Sequence, residues 1–276
     1  MKSFANAIDS DFSSLILLFI LPKRGIPSPS NTGALVIVIS QSGRSPDIIA
    51  QAKMAKEAGA YCIALVNDET SPLKDIVDDL IPLKAGAEIS VAATKSYLST
   101  LSALLQLTAH WTENESLISA LSTLPSALQT IIDSPAQLTS ASIKGVKNMV
   151  ILGRGLGYAV TKEMALKLKE VSSIHAEAFS SAEFLHGPVT LVEQGLAILD
   201  CSVNDESAQS HQEQIEEMKT RGADLVHMRQ TDDNVHPRLA PLVVLQRFYL
   251  DVAEVAVTRG FNPDEPKGLK KVTKTV

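Results

Sequence analysis

Cysteine is nearly missing from this chain: its 276 residues contain two, Cys62 and Cys201. Each sits inside an apolar, strand-like run, where a free thiol behaves as a small buried hydrophobe. No disulfide is expected, and a reducing cytoplasm is the expected setting. An excess of positive charge is lacking too, since 25 lysines and arginines stand against 31 aspartates and glutamates, for a net charge of -6. With no global positive field to draw in a polyphosphate backbone, nucleic acid is not an expected partner. The apolar run LILLFIL at 15–21 is too short to cross a membrane, which takes about 20 residues. Asp9 and Asp11 precede it and Pro22, Lys23 and Arg24 follow, which is not the charge order of a secretory signal. Neither a membrane nor a signal peptide is expected.

Three cofactor signatures are also absent. SQSGRS at 40–45 is not followed by the Gly-Lys-Ser/Thr of a Walker loop, so a nucleoside triphosphate with magnesium is not suggested. Gly153-Arg154-Gly155-Leu156-Gly157 does not have Gly-x-Gly-x-x-Gly spacing, and no acidic residue stands at the end of a following strand to hold a ribose. His110, His211, His227 and His236 show no paired metal-ligand spacing, and His175 and His186 are too far apart to form a motif. No metal or other cofactor is expected.

What is present is the material of a soluble protein with real cores, 45% hydrophobic and 20% charged, long enough for about two domains at roughly 150 residues each. Residues 22–33 read as a loop, with prolines at 22, 27 and 29. From residue 34 onward, short Val/Ile/Leu runs alternate with amphipathic stretches. Strands are predicted at 34–40, 61–66, 79–83, 148–152, 196–201 and 224–228. Helices are predicted after Ser45 and Pro46 up to Gly59, and at 91–111, 116–132, 135–144, 158–172, 209–221 and 238–259. The fold class is α/β, each half an open parallel sheet flanked by helices. An atypical segment at 1–33 precedes a first domain at 34–133 and a second at 145–276. The second half opens with strand, glycine turn and helix; the first has no such opening, as though one βα unit were missing.

Two groups of residues carry chemistry. Ser40, Gln41, Ser42 and Ser45 lie between a buried strand and a helix N-terminus, where free amides and hydroxyls suit a phosphate dianion; an ordinary serine-rich turn has the same pattern. Glu163, Lys167 and Glu170 form a charged stripe at i, i+4, i+7, bordering the apolar stripe Met164, Leu168 and Val171. A solvated salt-bridge ladder has this spacing as well. Just downstream, residues 175–188 are dense in titratable groups, and His186 stands beside Gly187-Pro188, a rigid turn able to aim an imidazole.

Taken in order, ISQSGRSPD, VAATKSY, ILGRG, ALKLKEVSSIHAEAFSSAEFLHGP and PKGLKKVTKTV resemble the sugar isomerase (SIS) domain family. The likeness is closest to the isomerase half of glucosamine-6-phosphate synthase and to SIS-type glucosamine-6-phosphate deaminases, and it covers residues 34–276. It implies two tandem SIS domains of flavodoxin-like, three-layer form. By the same resemblance Ser40, Gln41, Ser42 and Ser45 hold a sugar phosphate, Val91 lines the sugar, and Ala93 stands where the synthase has a serine. Lys167 and Glu170 fall on the catalytic pair, and His186 on the ring-opening histidine supplied by the neighbouring subunit of a homodimer. Lys271 takes the position of a lysine that meets the sugar carbonyl, with Lys270 beside it among the substrate-binding residues.

The resemblance implies conversion of glucosamine 6-phosphate to fructose 6-phosphate and ammonia. No cysteine nucleophile follows Met1, so glutamine is not an expected ammonia source. Two other readings stay open: a phosphosugar-binding protein without catalysis, and an inactive remnant. A sensor of the regulator type would carry a helix-turn-helix ahead of the SIS part, which 1–33 is too short and proline-rich to make. Residues 15–21 are expected to patch only part of the surface left by the missing unit, so that the first domain is less stable than the second and catalysis is weak or absent.

Overall fold

The run ALVIVIS forms β2 (Ala34–Ser40), and its four central residues, Val36–Ile39, are all buried. β-Branched side chains suit a strand covered on both faces, and each contributes about 1.5–3 kcal/mol through burial. The computed structural model describes residues 21, 22 and 34–271. Two units emerge. The first comprises the described residues up to Glu88, Lys95–Thr100, and Lys270 with Lys271; the second comprises Ile89–Thr94 and Leu101–Leu269.

In the first unit β1 (Leu21–Pro22), β2, β3 (Tyr61–Val66) and β4 (Asp79–Pro82) lie in that order. β2, β3 and β4 are parallel, with Val36 opposite Cys62 and Ile63 opposite Asp79. α1 (Pro46–Glu57) starts with Ser45 as N-cap and Pro46 at its first turn, as predicted. Its buried Ile48 and Ala52 share one face and pack into a core with Val36, Val38, Cys62 and Leu73.

In the second unit β5 (Asn148–Gly153), β6 (His175–Ser180), β7 (Ala197–Ser202) and β8 (Asp224–Arg229) form a wholly parallel sheet, ordered β6-β5-β7-β8. The helices are α2 (Lys95–Trp111), which begins in the first unit, then α3 (Glu115–Leu121), α4 (Leu124–Ile132), α5 (Gly155–Ser172), α6 (Ser181–Phe184), α7 (Ala208–Thr220) and α8 (Ala240–Thr258). No helix among the described residues is long and apolar enough to cross a membrane.

Several elements depart from the sequence reading. α2 starts at Lys95 rather than Val91, because the Glu88 carboxylate accepts from Ser96 N–H (3.1 Å) and Ser96 Oγ (2.6 Å) and so caps the helix there. The stretch predicted as one helix over 116–132 is two, with α4 restarting at Leu124 around Pro125, a first-turn residue that cannot sit in a helix interior. The helix predicted at 135–144 does not form. Its amides are taken instead by α8: Asp251 Oδ2 accepts from the N–H groups of Gln137 (2.9 Å) and Leu138 (3.0 Å). Arg247 Nη1 meanwhile donates to the carbonyls of Ile131, Ile132 and Ser134. Residues 101–133 lie in the second unit, whereas the sequence reading assigns them to the first domain. β6 was not foreseen at all.

In both sheets the chain steps from one strand to the next neighbour, β2 to β3 and β7 to β8. Beyond β7 lie β5 and β6; beyond β2, among the described residues, lies only β1, two residues long and antiparallel. Residues 1–20 and 23–33, where a leading βα unit would fall, lie outside the described residues. The expected patch at 15–21 falls outside the described residues apart from Leu21.

Asp251 is fully buried and bridged to Arg247 at 2.7 Å. Removing one member of such a pair leaves an uncompensated charge, so Asp251→Ala should destabilise by about 3–5 kcal/mol. Urea unfolding is the check, with faster hydrogen exchange at the Gln137 and Leu138 amides as its local signature; unchanged stability would mean that the segment is held by other means.

Candidate active site

The serine-rich loop leaves the C-terminal end of β2, where an open parallel sheet gathers its ligand-binding turns. Ser40 Oγ accepts from Gly43 N–H at 3.0 Å, and Ser42 Oγ lies 3.4 Å from Arg44 N. Ser45 has extended backbone (φ -62°, ψ 131°), and its hydroxyl makes no cap bond. The first-turn amides of α1, which no helix can satisfy internally, thus receive no cap from the Ser45 side chain. Ser40, Gln41 and Ser42 are half-buried and Ser45 is buried.

A second strand end braces this loop. Gln41 O accepts from Asn67 N–H (3.1 Å) and Asp68 N–H (3.3 Å), and Ser71 Oγ donates to Gly43 O at 2.9 Å. Gly43 has φ +60°, and a Cβ there would overlap Ser71 Oγ, so only glycine fits. Arg44 turns away from the cup: its Nε donates to Asp68 Oδ2 (2.9 Å) and its Nη2 to Thr70 Oγ1 (2.6 Å). Hydrogen bonds from Thr70, with Arg44 adding its charge, hold the Asp68 carboxyl below its usual range.

The charged stripe of α5 is not the solvated ladder its spacing allows. Lys167 Nζ lies 2.6 Å from Glu170 Oε2 and 3.3 Å from Glu163 Oε1, with side-chain exposures of 5% for Lys167, 7% for Glu163 and 20% for Glu170. Tyr249 on α8 donates its hydroxyl to Glu163 Oε1 at 2.8 Å. Burial pushes the Glu163 carboxyl up, against the pull of Lys167 and Tyr249. Burial alone would lower Lys167, but the two carboxylates outweigh it and hold the ammonium above its ordinary value. The result is a dry cation flanked by one locked carboxylate and one, Glu170, that solvent still reaches. Tyr249 is the member that sequence reasoning missed. The available signal was α8 itself, too apolar around its circumference to lie on a surface, which implied a buried helix.

The other predicted residues fall into separate settings. Val91 is half-buried, and its N–H donates to Asp264 O at 2.9 Å. Lys271 is exposed, as is Lys270; partial burial lowers the Lys271 pKa, with Lys95 adding to this and Glu88 opposing it. His186 is exposed and comes just after α6, its N–H donating to Glu183 O at 3.0 Å. Among the described residues no hydrogen bond or ion pair joins it to Lys167 or Glu170. The glycine turn at 153–157 is occupied by the chain itself: Asp205 Oδ2 accepts from Leu156 N–H at 2.7 Å, at the N-terminus of α5. A Cβ on Gly155, at φ +54°, would overlap Asp205 and Ser207.

A second buried carboxylate, Asp200 on β7, was not foreseen. Its Oδ1 lies 2.8 Å from His211 Nε2 and accepts from Ser202 Oγ at 2.5 Å; its Oδ2 lies 2.7 Å from His227 Nδ1 and accepts from Arg229 Nη2 at 3.2 Å. Burial would raise this carboxyl, but the hydrogen bonds from His211, His227 and Ser202 prevail and hold it far below its usual range.

Parallel strands whose C-terminal turns carry the polar loops place the protein in the class of open α/β folds. Within that class it belongs to the SIS domain family, whose pattern matches residues 23–110 and 142–247. Over 266 residues the chain is 33% identical to the isomerizing glutamine–fructose-6-phosphate aminotransferase of Caldanaerobacter subterraneus subsp. tengcongensis, a match covering 87% of this chain and 44% of that protein. The chain thus spans less than half the length of the curated relatives it matches. A candidate phosphosugar isomerase from Silicibacter pomeroyi DSS-3 superposes with a TM-score of 0.75 at 36% identity, covering 83% of this chain and 72% of that one. The glucosamine-6-phosphate deaminase of Thermotoga maritima superposes with a TM-score of 0.70 over 87% of this chain and 75% of that one; at 21% identity that likeness is one of fold.

The lowered carboxyl of Asp200 has a consequence for acid stability. A folded pKa below the unfolded value near 3.9 stabilises fully above that pH and loses its contribution as pH falls further. Asp200→Asn should therefore be less stable than the parent at neutral pH and lose less on acidification below about pH 4. Thermal unfolding measured across this range is the check; parallel curves for the two proteins would contradict it.

Proposed function

We propose that the protein is a phosphosugar-converting SIS enzyme that releases ammonia from glucosamine 6-phosphate and forms fructose 6-phosphate. The observation that carries this is the contact between Lys167 Nζ and Glu170 Oε2, 2.6 Å, inside a largely buried cluster. A solvated ladder needs no such burial, and burying these groups is costly unless something depends on it. The curated relative named above and the family pattern support the phosphosugar-isomerase part of this reading.

In this reading the Ser40–Ser45 loop holds the phosphate at the α1 N-terminus and orients the substrate, so that binding energy remote from the reacting carbons serves the chemical step. His186, contributed by the partner subunit of a homodimer, helps open the sugar ring. Glu170 takes the proton from C2, giving an enolamine, and returns it to C1. The product is a ketose imine, which water hydrolyses to fructose 6-phosphate and ammonia. Lys167 remains charged and stabilises negative charge developing on oxygen. Lys271, with its lowered pKa, is placed in this reading near the carbonyl end of the sugar.

Purified protein given glucosamine 6-phosphate should release ammonia, and Glu170→Gln should lower the rate by about 10²–10⁴ while leaving ligand binding nearly intact. Mixing Glu170→Gln with His186→Asn should restore part of the activity, since hybrid dimers then contain one complete site. Full turnover by Glu170→Gln would reduce that residue to a structural ion pair, and no recovery despite subunit exchange would place both groups in one chain.

A further inference from the structure

The second unit buries a polar chain that the proposed reaction does not use. Ser181, the first residue of α6, is 1% exposed, His211 on α7 is 3% exposed and Asp200 is 1% exposed. Ser181 Oγ lies 2.9 Å from His211 Nδ1 and also bonds to Gln214 Oε1 on α7, while His211 Nε2 lies 2.8 Å from Asp200. Serine, imidazole and carboxylate in this order make up a hydrolytic triad, but a serine this deeply buried can meet no substrate. Buried polar chains of this kind are costly unless every member is bonded. What this one fixes is the geometry of the segment that begins at Ser181.

That segment leads to His186 within five residues. α6 has four residues, too few to be stable alone, so its direction is set by its attachments. Upstream of His186, after the β6 pairing to β5 that ends at Ser180, α6 is attached by two of its own side chains, three residues apart and on one helical face. Phe184 is fully buried and meets Phe179 edge-on, with ring centroids 5.6 Å apart; Ser181 is tied to α7 and, through His211, to β7. An apolar anchor alone fixes depth but leaves rotation about itself. The second anchor removes that rotation and sets the direction in which His186 leaves the helix. Downstream of His186, the buried Val189 and Val192 anchor the helical turns that Pro188 begins.

We infer that the buried chain Gln214–Ser181–His211–Asp200 positions His186, making Ser181 and His211 positioning residues for the step that His186 performs. The inference rests on the proposed role of His186 toward the sugar. Asp200 keeps the His211 ring oriented, and Ser202, His227 and Arg229 in turn hold the carboxylate.

The experiment uses the full chain with Ser181→Ala, which removes one hydroxyl. Gln214→Ala, at a partly exposed site that also bonds Ser181, serves if the first variant does not fold. Amide exchange should accelerate at residues 182–187 and stay unchanged in β5 and α8. Turnover of glucosamine 6-phosphate should fall about five- to tenfold in kcat, the worth of one neutral hydrogen bond, with KM unchanged. In a His186→Asn background the same substitution should cause no further loss. Unchanged exchange at 182–187, or an equal loss in both backgrounds, would overturn the inference while leaving the proposed function standing. Wild-type turnover by His186→Asn would remove the role of His186 and this inference with it. Absence of any turnover by the parent protein would end the proposed function, and the exchange measurement would still decide whether Ser181 fixes the segment.

Discussion

Three ionisable side chains on one helix, Glu163, Lys167 and Glu170, set the terms for the second unit. Taking an ammonium and a carboxylate out of water costs several kcal/mol per ion even after relaxation, and mutual attraction compensates only when the geometry is close and the remaining polar atoms are bonded. α8 provides that condition. It covers the helix with apolar surface and presents Tyr249 to Glu163, while its Arg247 and Asp251 tie down the segment after α4. One helix thus seals the charged cluster and fixes the connection between the halves of the sequence.

The first unit meets a different constraint, that of holding a turn in shape at a helix start. The loop after β2 runs into α1 without a side-chain cap from Ser45. The chain holds it with contacts from the next strand end: Gln41 O receives two amides, Ser71 fills the space beside Gly43, and Arg44 reaches Asp68 and Thr70. The corresponding helix start in the second unit is closed, because Asp205 supplies the anion from within the chain. Two strand–turn–helix units of similar outline thereby hold their turns in different ways, the first by contacts to the loop and the second by a carboxylate at the helix start.

Local features were legible in the sequence and long-range ones were not. Buried strands such as ALVIVIS announce themselves by β-branched runs, and the α1 cap by Ser45-Pro46. The edge strand HAEAFS carries too many polar residues to look like a buried run, so β6 escaped notice. Residues 135–144 have helical composition, yet their amides answer to Asp251, 113 and 114 positions away from the two it binds. The spacing of Glu163, Lys167 and Glu170 was plain, but their burial depends on Tyr249, 86 positions from its partner. The Ser181–His211–Asp200 chain left no signature, since nothing in the sequence marks those three residues as neighbours. The family resemblance supplied roles for site residues that spacing alone left open.

The central claim is that the buried charge on α5 is retained for chemistry and not for stability. Lys167→Met tests it most directly, by comparing turnover of glucosamine 6-phosphate with urea unfolding of the same protein. Glu163 can answer the loss of the cation by taking up a proton while keeping Tyr249 as a hydrogen-bond partner, and Glu170 retains access to solvent. The account therefore predicts lost turnover with a stability loss smaller than the about 3–5 kcal/mol that an uncompensated buried charge costs. Retained turnover together with a loss of several kcal/mol would show the cluster to be structural and contradict the account.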